Sequence, residues 1–191
     1  MVIYSISSVI IQNSPEEYFV DANILYFLYS ESTDIQNKER VEAYSKFINK
    51  LKTDGNRLFV SSLNLQEVLH IIERKEHHNY CKNCKRVNLK TYRKNASERQ
   101  KIKLKLFKAV RQINSIYSII EDPVICNDIK SFIQTFDSHS FDPVDFLAIR
   151  AKWIRAESTG KNFNYITDDS DFKNNSDFRN MPYLNIFTYE T

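Results

Sequence analysis

The chain has 191 residues and a mass of 22.6 kDa, with 42% apolar and 13% aromatic side chains, enough for one packed domain and too many for a disordered chain. Two Gly and four Pro exclude collagen-like repeats and flexible linkers, and no apolar run reaches the roughly 18 residues that a membrane-spanning helix needs. The net charge of +3 hides an asymmetry: residues 73–111 hold 14 Lys/Arg against 3 acids, a balance of +11, and the remainder holds 13 against 21, or −8.

Met1 to Gln12 is apolar but lacks the basic leading region and small-residue cleavage site of a signal peptide. Three Cys, an odd number, point to a reducing cytoplasm rather than a disulfide framework. Residues 18–22 (Tyr-Phe-Val-Asp-Ala) read as a short buried strand that ends in an acid, and a helix starts over 24–29. Over 39–51, Val41, Tyr44, Phe47, Ile48 and Leu51 recur at helical spacing. Asp54-Gly55-Asn56 is a turn, residues 58–61 a second strand, and 63–74 a helix. The spacing predicts one long amphipathic helix over about 97–120, with Ile102, Leu106, Val110, Ile113 and Tyr117 as its apolar stripe. Pro123 ends it, and further helices are expected at 127–136 and 143–157. Residues 163–167 and 184–188 are strands. There is no internal repeat. Strands alternating with helices predict an α/β fold whose mostly parallel sheet is covered on both faces.

In such sheets ligands bind at the carboxyl ends of the strands. Asp21 closes the first strand with Asn23 two residues on, and Glu67 starts the helix after the second. Asp142 and Asp145 open the helix before the third strand, and Asp168, Asp169 and Asp171 follow that strand. Two carboxylates about 4 Å apart repel by roughly 4 kcal/mol at an effective dielectric near 20, so gathering them invites protonation or a hard cation. Carboxylates without His or Cys suit Mg²⁺ or Mn²⁺, which can activate a water for in-line attack on a phosphate. Each motif has a plain structural alternative. Asn64-x-x-Glu67 is a capping box with Asn64 as N-cap, and Asp142-Pro143 opens a capped helix.

In this order, Phe-Val-Asp21-Ala-Asn23, Ser61-Ser-Leu-Asn-Leu-Gln-Glu67-Val, Asp145-Phe-Leu-Ala-Ile-Arg-Ala and Ile-Thr167-Asp-Asp169-Ser-Asp171-Phe resemble the PIN-domain nucleases, the family of the VapC-like toxins. The resemblance covers residues 18–74 and 141–188. It implies a three-layer α/β/α sandwich around a sheet of four to five strands, and a cytoplasmic endoribonuclease using Mg²⁺ or Mn²⁺. By this resemblance Asp21, Glu67, Asp145 and Asp169 bind the metal, Asp168 and Asp171 compete for the fourth place, and Asn23 and Thr167 support the site. A toxin role would add an antitoxin partner, and a homodimer stays open. The chain departs from a small toxin in length, which makes residues 1–191 one domain with a basic, partly helical insertion at about 75–120.

That insertion carries the expected RNA contacts, Lys101, Lys105, Lys108 and Arg111, with Tyr80, Tyr92 and Phe107 interleaved for stacking on bases. It also holds His77, Cys81 and Cys84, half the ligand pattern of a structural Zn²⁺ site or else an unliganded polar loop. Two rival functions remain. A haloacid-dehalogenase-like phosphohydrolase would need Asp where Asn23 stands, and a non-catalytic nucleic-acid-binding or regulatory module would use the same acids only as helix caps.

Overall fold

The computed structural model describes residues 1–8, 16–30, 38–84, 86–121, 149, 156, 158–170, 172 and 181–189. Strands β1 (Val2–Ser5), β2 (Glu17–Val20), β3 (Arg57–Ser61), β4 (Ser118–Ile120), β5 (Phe163–Ile166) and β6 (Leu184–Thr188) form one parallel sheet in the order β1-β6-β5-β2-β3-β4. The helices are α1 (Ala22–Tyr29), α2 (Lys38–Thr53), α3 (Ser62–Asn83), α4 (Leu89–Tyr92) and α5 (Ala96–Ile116).

Alternation along the strands builds two cores. Tyr18, Val20, Leu58, Val60, Ile166 and Phe187 point to one face, where they meet Ile24 and Leu25 of α1, Tyr44 and Phe47 of α2, Val68 and Ile72 of α3, and Ala109 and Ile113 of α5. Phe19, Phe163, Tyr165, Leu184 and Ile186 point to the other and pack with Ile149, Ala156 and Phe172, which are helical. The protein is therefore a three-layer α/β/α sandwich. From β2 the chain moves outward through β3 to β4, then returns to the other side of β2 for β5 and β6. The order reverses between β2 and β5, which opens a crevice at their carboxyl ends.

The sheet has six strands, not the four to five expected. β1 is an edge strand paired with β6 (Val2 opposite Asn185), a partnership that no local pattern reveals. β4 falls in the stretch expected to be helical to residue 120. Instead α5 stops at Ile116, Tyr117 is extended (φ −112°, ψ 147°), and Val60 pairs with Ile119. Ile116, Tyr117, Ile119 and Ile120 prolong the apolar stripe, so period alone overshoots, and pairing with β3 decides. The last three residues of the expected insertion thus belong to the sheet.

α3 is longer than expected, with 22 residues, or about 33 Å, and it carries His77 and Cys81 in its final turns, not in a loop, with Cys84 as its C-cap. Its far half, α4 and the start of α5 form a basic helical arm. Arg93 clasps Glu73 through two bonds of 2.6 and 2.5 Å, and Lys105 reaches Glu76 at 2.8 Å. Tyr92, 2% exposed, packs its ring at a tilt against His77 and Tyr80, with centroids 5.1 Å apart in each pair. The helix expected at 127–136 lies outside the described residues, as does most of that at 143–157. Among the described residues no helix is long and apolar enough to cross a membrane.

Candidate functional site

Asp21 sits at the mouth of the β2–β5 crevice. Its N–H donates to Ile166 O of β5 (3.0 Å), its carbonyl accepts from Leu25 N (3.2 Å), and its extended backbone caps α1. The carboxylate is almost wholly enclosed. Oδ1 accepts from Ala22 N at 2.7 Å, the Tyr165 hydroxyl at 2.8 Å and Asn64 Nδ2 at 3.2 Å, and Oδ2 accepts from Thr167 Oγ1 at 2.7 Å. Only 5% of the residue is exposed. Burial raises the carboxyl pKa above its ordinary value, the bonds from Thr167, Tyr165 and Ala22 pull it back, and the charge of Asp169 pushes it further up.

Thr167 organises the other wall. While donating to Asp21, its Oγ1 accepts from Asp169 N (3.1 Å) and from Asn23 Nδ2 (3.4 Å), and Asn23 Oδ1 accepts from Asp168 N (3.5 Å). Asn23 and Thr167 thus bond each other beside the Asp21 carboxylate. The two neighbouring acids diverge. Asp168 Oδ2 pairs with Arg40 at 2.6 Å, and its Oδ1 accepts from Tyr44 (3.0 Å) and Thr188 (3.5 Å), which ties it to α2 and β6. Asp169 is the acid whose charge reaches Asp21.

On the opposite wall the helix start differs from expectation. Ser61, not Asn64, is the N-cap of α3. Its Oγ accepts from Asn64 N (3.1 Å) and donates to Asn64 Oδ1 (2.8 Å). Ser61-x-x-Asn64 and Asn64-x-x-Glu67 are competing capping patterns three residues apart, and the earlier one wins because Ser61 is the last residue of β3, with the extended backbone an N-cap needs. Asn64 is thereby released from capping, and its amide bonds Val20 O, Asp21 and Tyr165. Glu67, partly buried, lies one turn further along α3, so its Cβ is about 5–6 Å from that of Asn64 on the same face. Asp145 and Asp171 lie outside the described residues, as do Asp142 and Cys126.

Asn64 and Tyr165 are site residues that the sequence did not reveal. A usable signal for Tyr165 was its place one residue before the end of a fully buried strand, where a hydroxyl needs a partner. The donor set suits a hard cation. Oδ1 of Asp21 is saturated by three donors, Oδ2 takes one and keeps a lone pair, and an external positive charge would offset the desolvation of this carboxylate. Among the described residues no group of three or more His, Cys, Asp or Glu side chains is arranged to hold a metal ion. A groove of about 460 Å³ beside α2 is lined by Ile6, Phe47 and Tyr189 and rimmed by Glu39, Glu42, Lys46 and Lys50, and none of the expected acids lines it.

Of the expected RNA contacts, Lys101 is exposed and pairs with Glu98 at 2.6 Å, Lys105 is half-buried and pairs with Glu76 at 2.8 Å, and Lys108 and Arg111 are exposed. Tyr92 is buried and Tyr80 packs on it, which leaves Phe107 as the outward ring. His77 Nε2 and Cys81 Sγ stand 3.3 Å apart and share the Val87 carbonyl (2.8 and 3.4 Å), while Cys84 is exposed at the helix end and both thiols are free. No protein-family model matches the chain, and no curated protein matches its sequence.

Proposed function

We propose that the chain is a divalent-metal-dependent endoribonuclease of PIN-like type that hydrolyses RNA phosphodiester bonds. The observation that carries this is Asp21, an acid enclosed at the strand-order reversal, whose charge burial disfavours and which keeps a lone pair on Oδ2. Asp21 and Asp169, with Glu67 one turn past Asn64 and Asp145 from its own motif, are the proposed holders of Mg²⁺ or Mn²⁺. Such an ion, when bound, lowers the pKa of a water and stabilises the charge that develops on the phosphate oxygens. The chain's own residues do the rest. Tyr165, Asn64 and Ala22 N fix Oδ1, so Asp21 presents Oδ2 in one orientation. Thr167 holds Oδ2 and the Asp169 backbone together, which sets the two acids side by side. A toxin–antitoxin role and a cytoplasmic location belong to the same proposal.

A second reading rests on a specific observation: Asp21 is also the N-cap of α1, so the acids could serve folding in a non-catalytic RNA-binding module. One experiment separates the two. Labelled RNA is incubated with the protein in Mn²⁺, Mg²⁺ or EDTA, beside the Asp21→Asn variant. Cleavage that needs metal and vanishes in a folded variant is the expected result. Binding without any cleavage would establish the module instead.

A further inference from the structure

The outer line of α5 is unlike its other faces. At about 100° per residue, the buried Ile102, Ala109 and Ile113 share one side, and Leu104, Phe107 and Arg111 fall on the opposite one. Leu104 and Phe107 are 61% and 67% exposed, the two most exposed large apolar side chains among the described residues. Single apolar residues on a surface are ordinary, but this pair lies one turn apart, with Lys103 and Lys108 on its flanks. Its surroundings carry the +11 balance, and each of the 3 acids there already faces a cation of the same segment: Glu73–Arg93, Glu76–Lys105 and Glu98–Lys101.

The face is also remote from Asp21. α3 starts at the carboxyl edge of the sheet, and Glu76 lies nine residues beyond Glu67, about 14 Å along the axis. Lys105 bonds Glu76, which sets the level of α5 there. The α5 axis lies about 8–10 Å to the side, and the Phe107 ring projects outward from it, so the ring stands roughly 20 Å from Glu67.

We propose that Phe107 is a stacking platform for an unpaired base of single-stranded RNA, with Lys103 and Arg111 against the adjoining phosphates and Leu104 against the sugar or base edge. The anchor rests on the RNA reading above and adds a length requirement to it. Stacked nucleotides advance about 3.4 Å each, so about six separate a base on Phe107 from a phosphate at the acids. A single strand fits better than a duplex, because a lone exposed ring can only stack on a base whose face is free. It fits better than an acidic protein because the exposed Phe107 ring beside the cations offers a face on which a base stacks and a carboxylate does not.

Binding in EDTA tests this without any chemistry. Fluorescence anisotropy of a labelled oligouridylate of about 20 nucleotides should show Phe107→Leu weakening the complex about 5- to 150-fold, with Phe107→Tyr near wild type. Lys103→Gln with Arg111→Gln should flatten the slope of log K against log salt by about 1.4. The stacking anchor is overturned if Phe107→Leu binds as wild type does, if Phe107→Tyr binds as weakly as Phe107→Leu, or if duplex RNA binds equally well. Polyglutamate displacing the RNA at lower charge concentration would overturn it in favour of an acidic protein. An Asp21→Asn variant that binds in a Phe107-dependent way while wild type never cleaves would sink the nuclease proposal and leave the anchor standing.

Discussion

Replacing Asp21 with Asn separates the charge of this side chain from its shape. In the folded protein burial raises the carboxyl pKa above the ordinary 3.8. Between these two values the native state holds a proton that the unfolded chain has released, so stability falls as pH rises through the window, by about 1.4 kcal/mol for each pH unit. The Asp21→Asn variant has no such proton. Its amide oxygen keeps the three donors now on Oδ1, but its NH₂ replaces the acceptor that Thr167 uses at 2.7 Å. Thr167 Oγ1 already accepts from Asp169 N and Asn23 Nδ2, so one neutral hydrogen bond is lost, at a cost of about 1 kcal/mol. At pH 3 the variant is therefore the less stable protein by about 1 kcal/mol. As pH rises through the window wild type loses stability and the variant does not, so the gap between the two narrows. Thermal melts in EDTA from pH 3 to pH 7 read this out, at about 2–4 °C in Tm per kcal/mol for a chain of this size. Parallel Tm curves for the two proteins would refute desolvation as the force acting on Asp21.

With Mn²⁺ at about 100 times its dissociation constant, wild type should gain about 2.7 kcal/mol and the Asp21→Asn variant nothing measurable; equal shifts in the two melts would place the ion elsewhere. Asp169→Asn should abolish RNA cleavage, whereas Asp168→Asn should lower Tm through loss of the Arg40 and Tyr44 contacts yet still cleave below its melting range. The reverse pattern would exchange their roles. Tyr92→Ala empties a buried space between His77 and Tyr80, a truncation that costs about 3–5 kcal/mol in a well-packed core. Hydrogen exchange should then accelerate over residues 77–101 and not around Asp21, and uniform acceleration would show that the arm is not a separate unit.

How far the sequence discloses this molecule depends on the range of each interaction. β2, β3, β5 and β6 are compact apolar runs with turn residues between them, and α2 repeats its apolar face for four turns, so local pattern suffices. β1 gains its identity from a partner strand 183 residues away, and β4 from residues of β3 (Val2–Asn185, Val60–Ile119), so neither is visible locally. At the site, Asp21, Asn23 and Thr167 stand out as polar residues at the ends of apolar strands. Asn64 looked like a helix cap because Asn is as good a cap as Ser, and only the preceding Ser61 takes that duty away. Tyr165 lies in a strand legible from the sequence and its ring is core; its hydroxyl alone reaches the carboxylate. The lysine stripe of α5 followed from periodicity, but periodicity does not say which cations meet Glu76 and Glu98.

The partners of Asp21 are spread along the chain: Asn64 is 43 residues downstream, and Tyr165 and Thr167 are 144 and 146. During synthesis the aspartate and the first half of the sheet leave the ribosome well before β5 exists to complete the cage. Until then the carboxylate is an ordinary solvated acid, without the Tyr165 and Thr167 hydroxyls that enclose it in the fold. The enclosure thus rests on contacts of high sequence separation, which form slowly relative to local ones.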